Sequence, residues 1–179
     1  MPMHRRSLLL ALAAGSAVPL LQACGGGDGN AAHAKSKTIV GVASGDPRFS
    51  ILVEAVVAAS LVDTLNSAGL FTEFAPTNDA FVALLSELNV SKEALLANKA
   101  LLTTVLTYHV VSGALRASDR DVAALHRPAS VKTVQGATFT VDAQLGITDV
   151  RGRKATLLMT DLIASNGVIH VIDSVIMPK

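Results

Sequence analysis

The groups in this chain with the widest chemistry are two imidazoles, one carboxylate and one thiol. His109 and His170 invite a metal or acid–base reading, because a neutral imidazole is a common ligand and titrates near neutral pH. Neither has a carboxylate or cysteine at ligand spacing beside it, and His109 continues an apolar helix face four residues after Val105. That placement points to a core histidine whose ring nitrogens bond main-chain or hydroxyl partners. His170 shares a strand face with Val168 and Ile172, so the same reading applies. Asp79 follows Thr77 in a predicted first helical turn, where a carboxylate complements the helix dipole without any catalytic role. The chain has no Gly-x-Ser-x-Gly or Ser-x-x-Lys motif, and Gly41-Val42-Ala43-Ser44-Gly45 places its serine one residue late. The glycine run after Cys24 lacks the Gly-Lys-Ser/Thr continuation of a phosphate-binding loop. The expectation is a non-enzyme with no metal and no cofactor.

The single cysteine, Cys24, excludes an internal disulfide framework and a cysteine-based zinc site. Its setting gives it another use. Arg5-Arg6, an apolar stretch from Ser7 to Leu21, and Leu21-Gln22-Ala23-Cys24 form the charged, apolar and small-residue regions of an export signal. Fifteen helical residues span about 22 Å, short of the roughly 30 Å hydrocarbon core, so a permanent transmembrane helix is the weaker reading. Residues 21–24 resemble a bacterial lipobox, whose cysteine sulfur is lipid-modified, and Gln22 is its least usual member. Arg5-Arg6-Ser7-Leu8-Leu9 also resembles a twin-arginine signal. The segments read as residues 1–23 signal peptide, 24–37 lipidated cysteine and Gly-rich tether with a reach of about 20 Å, and 38–179 one folded domain.

Half of the 179 residues are apolar, enough for a sizeable core. With Arg5 and Arg6 set aside, 13 basic side chains face 14 acidic ones, a balance without an electrostatic footprint for nucleic acid. Arg151-Gly152-Arg153-Lys154 is a dense basic cluster in a predicted hairpin turn, read as a solvated turn. Tryptophan is absent and Tyr108 is the one tyrosine, which disfavours glycan binding by ring stacking. Asn89-Val90-Ser91 fits a glycosylation sequon, yet Ser91 is better placed as a helix cap.

The elements that must position these residues follow from periodicity. Phe49, Leu52, Val53, Val56, Val57 and Leu61 recur at helical spacing after Asp46-Pro47. A short strand is expected over Phe71-Thr72-Glu73-Phe74, ended by Pro76. Thr77 caps the next helix, which is expected to bury Phe81, Leu84, Leu85 and Leu88. Leu101, Leu102, Val105 and Leu106 make a further apolar face. Beyond Arg116 the period switches to two: strands are expected at Val131 and Thr133, over 137–142, 145–150, 155–159 and 168–177, separated by glycine-containing turns. Helices first and strands later argue an α+β class over alternating βαβ units.

Phe71-Thr72-Glu73-Phe74-Ala75-Pro76-Thr77-Asn78-Asp79-Ala80-Phe81 resembles the first signature segment of fasciclin (FAS1) domains. Ser165-Asn166-Gly167-Val168-Ile169-His170-Val171-Ile172-Asp173 with Pro178 resembles the second, and Tyr108-His109 the tyrosine–histidine motif between them. The resemblance implies a β-wedge of two packed sheets with helices on one side. It also implies an extracellular adhesion or matrix-interaction role. In animal members an aspartate–isoleucine pair just before the second segment is implicated in integrin binding. Thr160-Asp161-Leu162-Ile163-Ala164 occupies that place here, with leucine for isoleucine, so Asp161, Leu162 and Ile163 are the candidate partner-binding residues.

The expected protein is thus an exported, lipid-anchored envelope protein. Its domain contacts a matrix, cell-surface or other envelope protein and no nucleic acid. The alternative is a carrier holding a lipid or pigment in an apolar cleft, which requires a cavity of at least about 300 Å³.

Overall fold

A computed structural model of the chain describes residues 37–116, 129–142 and 144–179. The signal segment, Cys24 and all of the tether but Lys37 lie outside these residues. Among the described residues no helix is long and apolar enough to cross a membrane.

The N-terminal half is a set of short helices, and apart from α2 and α3 each is started by a side chain that accepts a free main-chain N–H. Thr38 caps α1 (Ile39–Ala43) by accepting from Gly41 N–H at 3.2 Å. Asp46 caps a 3₁₀ turn (Pro47–Phe49) that leads into α2 (Ser50–Ala58). The apolar stripe expected from Phe49 to Leu61 is therefore interrupted: Ser60 takes a left-handed φ of 59° and α3 (Val62–Asn66) starts afresh. Phe49, Leu52, Val56 and Ala59 are buried, whereas Val57 faces solvent. After strand β1 (Phe71–Pro76), Thr77 accepts from Ala80 N–H at 3.3 Å and opens α4 (Asn78–Leu88). Phe81 and Leu84 are buried there, Leu85 is half-buried and Leu88 exposed, since the helix end runs past the core. Ser91 caps α5 (Lys92–Ala97) and Asn98 caps α6 (Lys99–Tyr108).

The strands are β2 (Val110–Ser112), β3 (Ala129–Lys132), β4 (Thr138–Val141), β5 (Gly146–Thr148), β6 (Lys154–Ala164) and β7 (Gly167–Ile172), in the ladder order β2-β1-β7-β6-β5-β4-β3. β1 and β7 pair in parallel from Phe71–Gly167 to Pro76–Ile172, and every other pairing is antiparallel. β6 is long enough to pair with β5 at one end and β7 at the other, so it joins two half-sheets. These fold face to face over an aromatic core. The rings of Phe74 and Phe139 meet edge-on with centroids 5.0 Å apart, and Tyr108 packs on Phe139. Val134 N–H donates to Val110 carbonyl at 2.8 Å, tying the turn after β3 to β2 at the opposite edge. The result is a wedge of two packed sheets.

A second core fills the space between the helices and the outer face of the β1–β7 pair, with Phe49, Phe81, Leu102, Leu106, Ile169 and Val171 buried. The expected last strand stops at Ile172 although Val175, Ile176 and Met177 are buried. Side chains satisfy the main chain of that segment in place of a ladder: Ile176 N–H donates to His109 Nε2 and Met177 N–H to Asp149 Oδ2.

Candidate functional site

The residues that form the first and second signature segments act mostly as fasteners between elements. Asn166 is buried; its Oδ1 accepts from Ile39 N–H at 2.9 Å and its Nδ2 donates to Leu65 carbonyl at 2.6 Å, which fixes α1 and α3 to the β6–β7 hairpin. Gly167 passes so close to β1 that a Cβ there would lie 2.0 Å from Phe71 carbonyl oxygen. Asn78 links the Pro47 carbonyl to Ile51 N–H across the start of α2. Tyr108 donates its hydroxyl to Thr138 carbonyl at 2.9 Å, and Asp79 is an exposed first-turn acid of α4.

The two histidines do not form a pair. His109 Nε2 accepts from Ile176 N–H, so Nδ1 carries the proton and donates to Val105 carbonyl at 2.8 Å. Burial outweighs that bond and the nearby Asp149 charge, and it pushes the imidazole down to about 4. His170 has the opposite tautomer: Nδ1 accepts from Asp161 N–H at 3.3 Å and Nε2 donates to Leu115 carbonyl at 2.7 Å. Its pKa is also lowered, first by burial, against the Leu115 bond and the Asp161 charge. With both nitrogens engaged, neither ring has a free site for a substrate proton or a metal. Among the described residues no three His, Cys, Asp or Glu side chains cluster as a metal site.

Sequence reading missed two buried acids. Asp149 accepts from Arg151 and Arg153 N–H on Oδ1 and from Met177 N–H on Oδ2, so it organises both the β5–β6 turn and the C-terminal segment. Its signal was an aspartate two residues before Arg151-Gly152, the spacing of a turn whose acid bonds its own main chain. Glu73 lies on the helix-facing side of β1. Its carboxyl is driven up to about 8 by burial, and Oε2 has no hydrogen-bond partner. The adjoining cavity, about 10 Å³ among Ile39, Leu52, Val56 and Leu65, holds one water at most.

The basic cluster is engaged internally: Arg153 makes a two-pronged contact with Glu87, one arm at 2.8 Å, and Arg151 Nε donates to Pro178 carbonyl at 2.6 Å.

β6 carries the exposed apolar side chains Leu158, Met159 and Ile163, and its register shifts fall between Leu157 and Met159 and between Met159 and Leu162. Each extra residue turns the strand and re-aims its side chains. Leu158 and Ile163 stand 59% and 56% exposed, and Asp161 adopts φ 60°. Leu162, in contrast, is half-buried and packs on the helix-side core. Of the three candidate binding residues, Ile163 is exposed, while Asp161 and Leu162 are half-buried and Leu162 anchors the segment to the core.

Between the two half-sheets the cavity lined by Phe74, Leu115, Val141 and His170 measures about 20 Å³. Two larger hollows, about 420 and 440 Å³, are open surface grooves beside α4.

A family model of the fasciclin domain matches residues 47–178. Protein sll1483 of Synechocystis sp. is 46% identical over 148 residues, covering 83% of this chain and 77% of its own length. Transforming growth factor-beta-induced protein ig-h3 of Sus scrofa is 39% identical over 147 residues, 79% of this chain but 19% of that longer protein. A solved FAS1 domain pair from the insect cell adhesion molecule fasciclin I superposes with a TM-score of 0.53 at 25% identity, over 69% of this chain and 43% of that one. The wedge of packed sheets, the helix layer and these matches together place the chain in the fasciclin domain family.

Proposed function

We propose that this protein is a lipid-anchored envelope protein whose fasciclin domain binds a matrix, cell-surface or envelope protein through β6, without covalent chemistry. The observation that carries this reading is the doubly bulged β6, which turns Leu162 onto the helix-side core and leaves Ile163 exposed two residues from Asp161. An exposed apolar side chain next to a charge suits a contact surface better than a fully solvated face. The structural relative described as a cell adhesion molecule supports the same role class. The carrier alternative finds little support: a drug-sized ligand needs about 300 Å³, and the inter-sheet cavity among the described residues is about 20 Å³.

The test combines Asp161→Asn, which tolerates the left-handed backbone, with Ile163→Ser. Adhesion of domain-coated beads to matrix and to intact bacterial cells is expected to fall about tenfold, as truncation of a central contact does, with circular dichroism unchanged. Adhesion equal to wild type rejects this surface. For the anchor, Cys24→Ser is expected to move the protein from the membrane to the soluble fraction; retention in the membrane contradicts lipidation.

A further inference from the structure

The β6 bulge that carries Asp161 is supported by His170, and the support depends on the charge of the ring. Between the pairs Met159–Val171 and Leu162–Ile169, two residues of β6, Thr160 and Asp161, oppose the single residue His170. A two-against-one step leaves a main-chain group without its ladder partner. Here the Asp161 N–H finds that partner in His170 Nδ1 at 3.3 Å. Nδ1 accepts only while Nε2 holds the ring proton, and Nε2 is fixed in that role by the Leu115 carbonyl at 2.7 Å. The ring is further located by Phe74, with centroids 5.4 Å apart. Asp161 stands at φ 60°, a conformation that residues with a Cβ adopt rarely and keep when their surroundings impose it.

We infer that His170 is the positioning residue of the Asp161–Ile163 surface, and that binding there requires its uncharged ring and is lost when acid protonates it. Protonation puts a donor where the Asp161 N–H needs an acceptor, so the bulge relaxes and Ile163 is no longer held in place. The inference rests on the reading of this surface as the contact site. Among the described residues the charged groups around the ring are Asp161 on β6, which favours the charged form, and Arg116, after β2, which lines the same cavity. β1, β3 and β4 contribute Phe74, Val131 and Val141, all apolar. Burial exceeds the Leu115 and Asp161 contributions, so the transition lies on the acid side of the ordinary histidine value of 6.5. His109, uncharged down to about 4, titrates separately.

NMR of the full-length protein in detergent can follow the His170 ring and the Asp161 amide through one pH titration. The Asp161 amide is expected to move with the midpoint of the His170 ring while circular dichroism stays constant. Bead adhesion is expected to fall about three- to tenfold as pH drops from about 7.5 through the midpoint observed for the His170 ring, the range that one main-chain hydrogen bond commands. His170→Asn, whose Oδ1 stands at the Nδ1 position and stays an uncharged acceptor at every pH, is expected to bind at pH 7.5 and to lose the acid sensitivity. A merely structural role leaves this variant as acid-sensitive as wild type. Should the variant not fold, the wild-type amide titration decides, and an Asp161 amide indifferent to the ring overturns the inference. An amide that follows the ring, with adhesion indifferent to both pH and Ile163→Ser, overturns the surface reading instead.

Discussion

β1 and β7 lie side by side in the ladder, and their two faces bury polar groups in opposite ways. On the face turned toward β3–β5, Thr72 Oγ1 donates to Gly113 carbonyl and accepts from Leu115 N–H, and His170 uses both ring nitrogens. On the face under the helices, Glu73 is as deeply buried, yet its Oε2 has no partner. The covering elements explain the difference. A loop such as 113–115 and a strand bulge have main-chain groups to offer, whereas a helix offers them only at its ends, as α1 and α3 do to Asn166, and has paired the rest internally. A polar side chain under the body of a helix must therefore find another side chain or stay uncharged. Glu73 stays uncharged, its carboxyl held up to about 8.

The sharpest way to break that contrast is to remove the acid. An unfolded glutamate loses its proton near 4.5 and the folded Glu73 near 8, so the folded state holds the extra proton between these values. Stability therefore falls as pH rises through this window, by about 5 kcal/mol at the upper end for a fully buried group. Glu73→Leu is expected to abolish this decline and to raise stability most at about pH 8. Urea unfolding across a pH series reads the effect, and a wild-type profile flat from 4.5 to 8 contradicts it.

The next effect has the opposite sign. His109 stays neutral to about 4 in the folded chain while the unfolded histidine charges near 6.5, so its contribution is present above 6.5 and lost as pH falls toward 4. Replacing it by alanine leaves Ile176 N–H and Val105 carbonyl without partners, at a cost of about 3 kcal/mol near neutral pH. The same unfolding series is expected to show its acid limb reduced in that variant. The smallest effect on stability belongs to the surface: Ile163→Ser is expected to change unfolding by no more than about 0.5 kcal/mol, although it lowers adhesion.

The local chemistry of this fold was readable in the residues. Thr77 and Ser91 as caps, the turn glycines and the core position of His109 each depend on neighbours within a few residues. Long-range pairing was not. Nothing near Phe71 reveals that β1 runs parallel to β7, across almost the whole domain, and it is this central position that buries Glu73. The segment after Ile172 alternates and is buried as a strand would be, yet it is held by His109 and Asp149, side chains distant in sequence. For the candidate surface, the segment Thr160 to Ala164 was located from its motif position. The division within it came from the register shifts, which turn Leu162 inward and leave Ile163 outside.

A photo-crosslinking side chain placed at Ile163, and in a second variant at Val57 on the exposed side of α2, tests the binding surface most directly in intact cells. Val57 is as exposed as Ile163 but lies on the helix layer. The account predicts a discrete adduct from position 163 and none from 57; an adduct from 57 with none from 163 would contradict it.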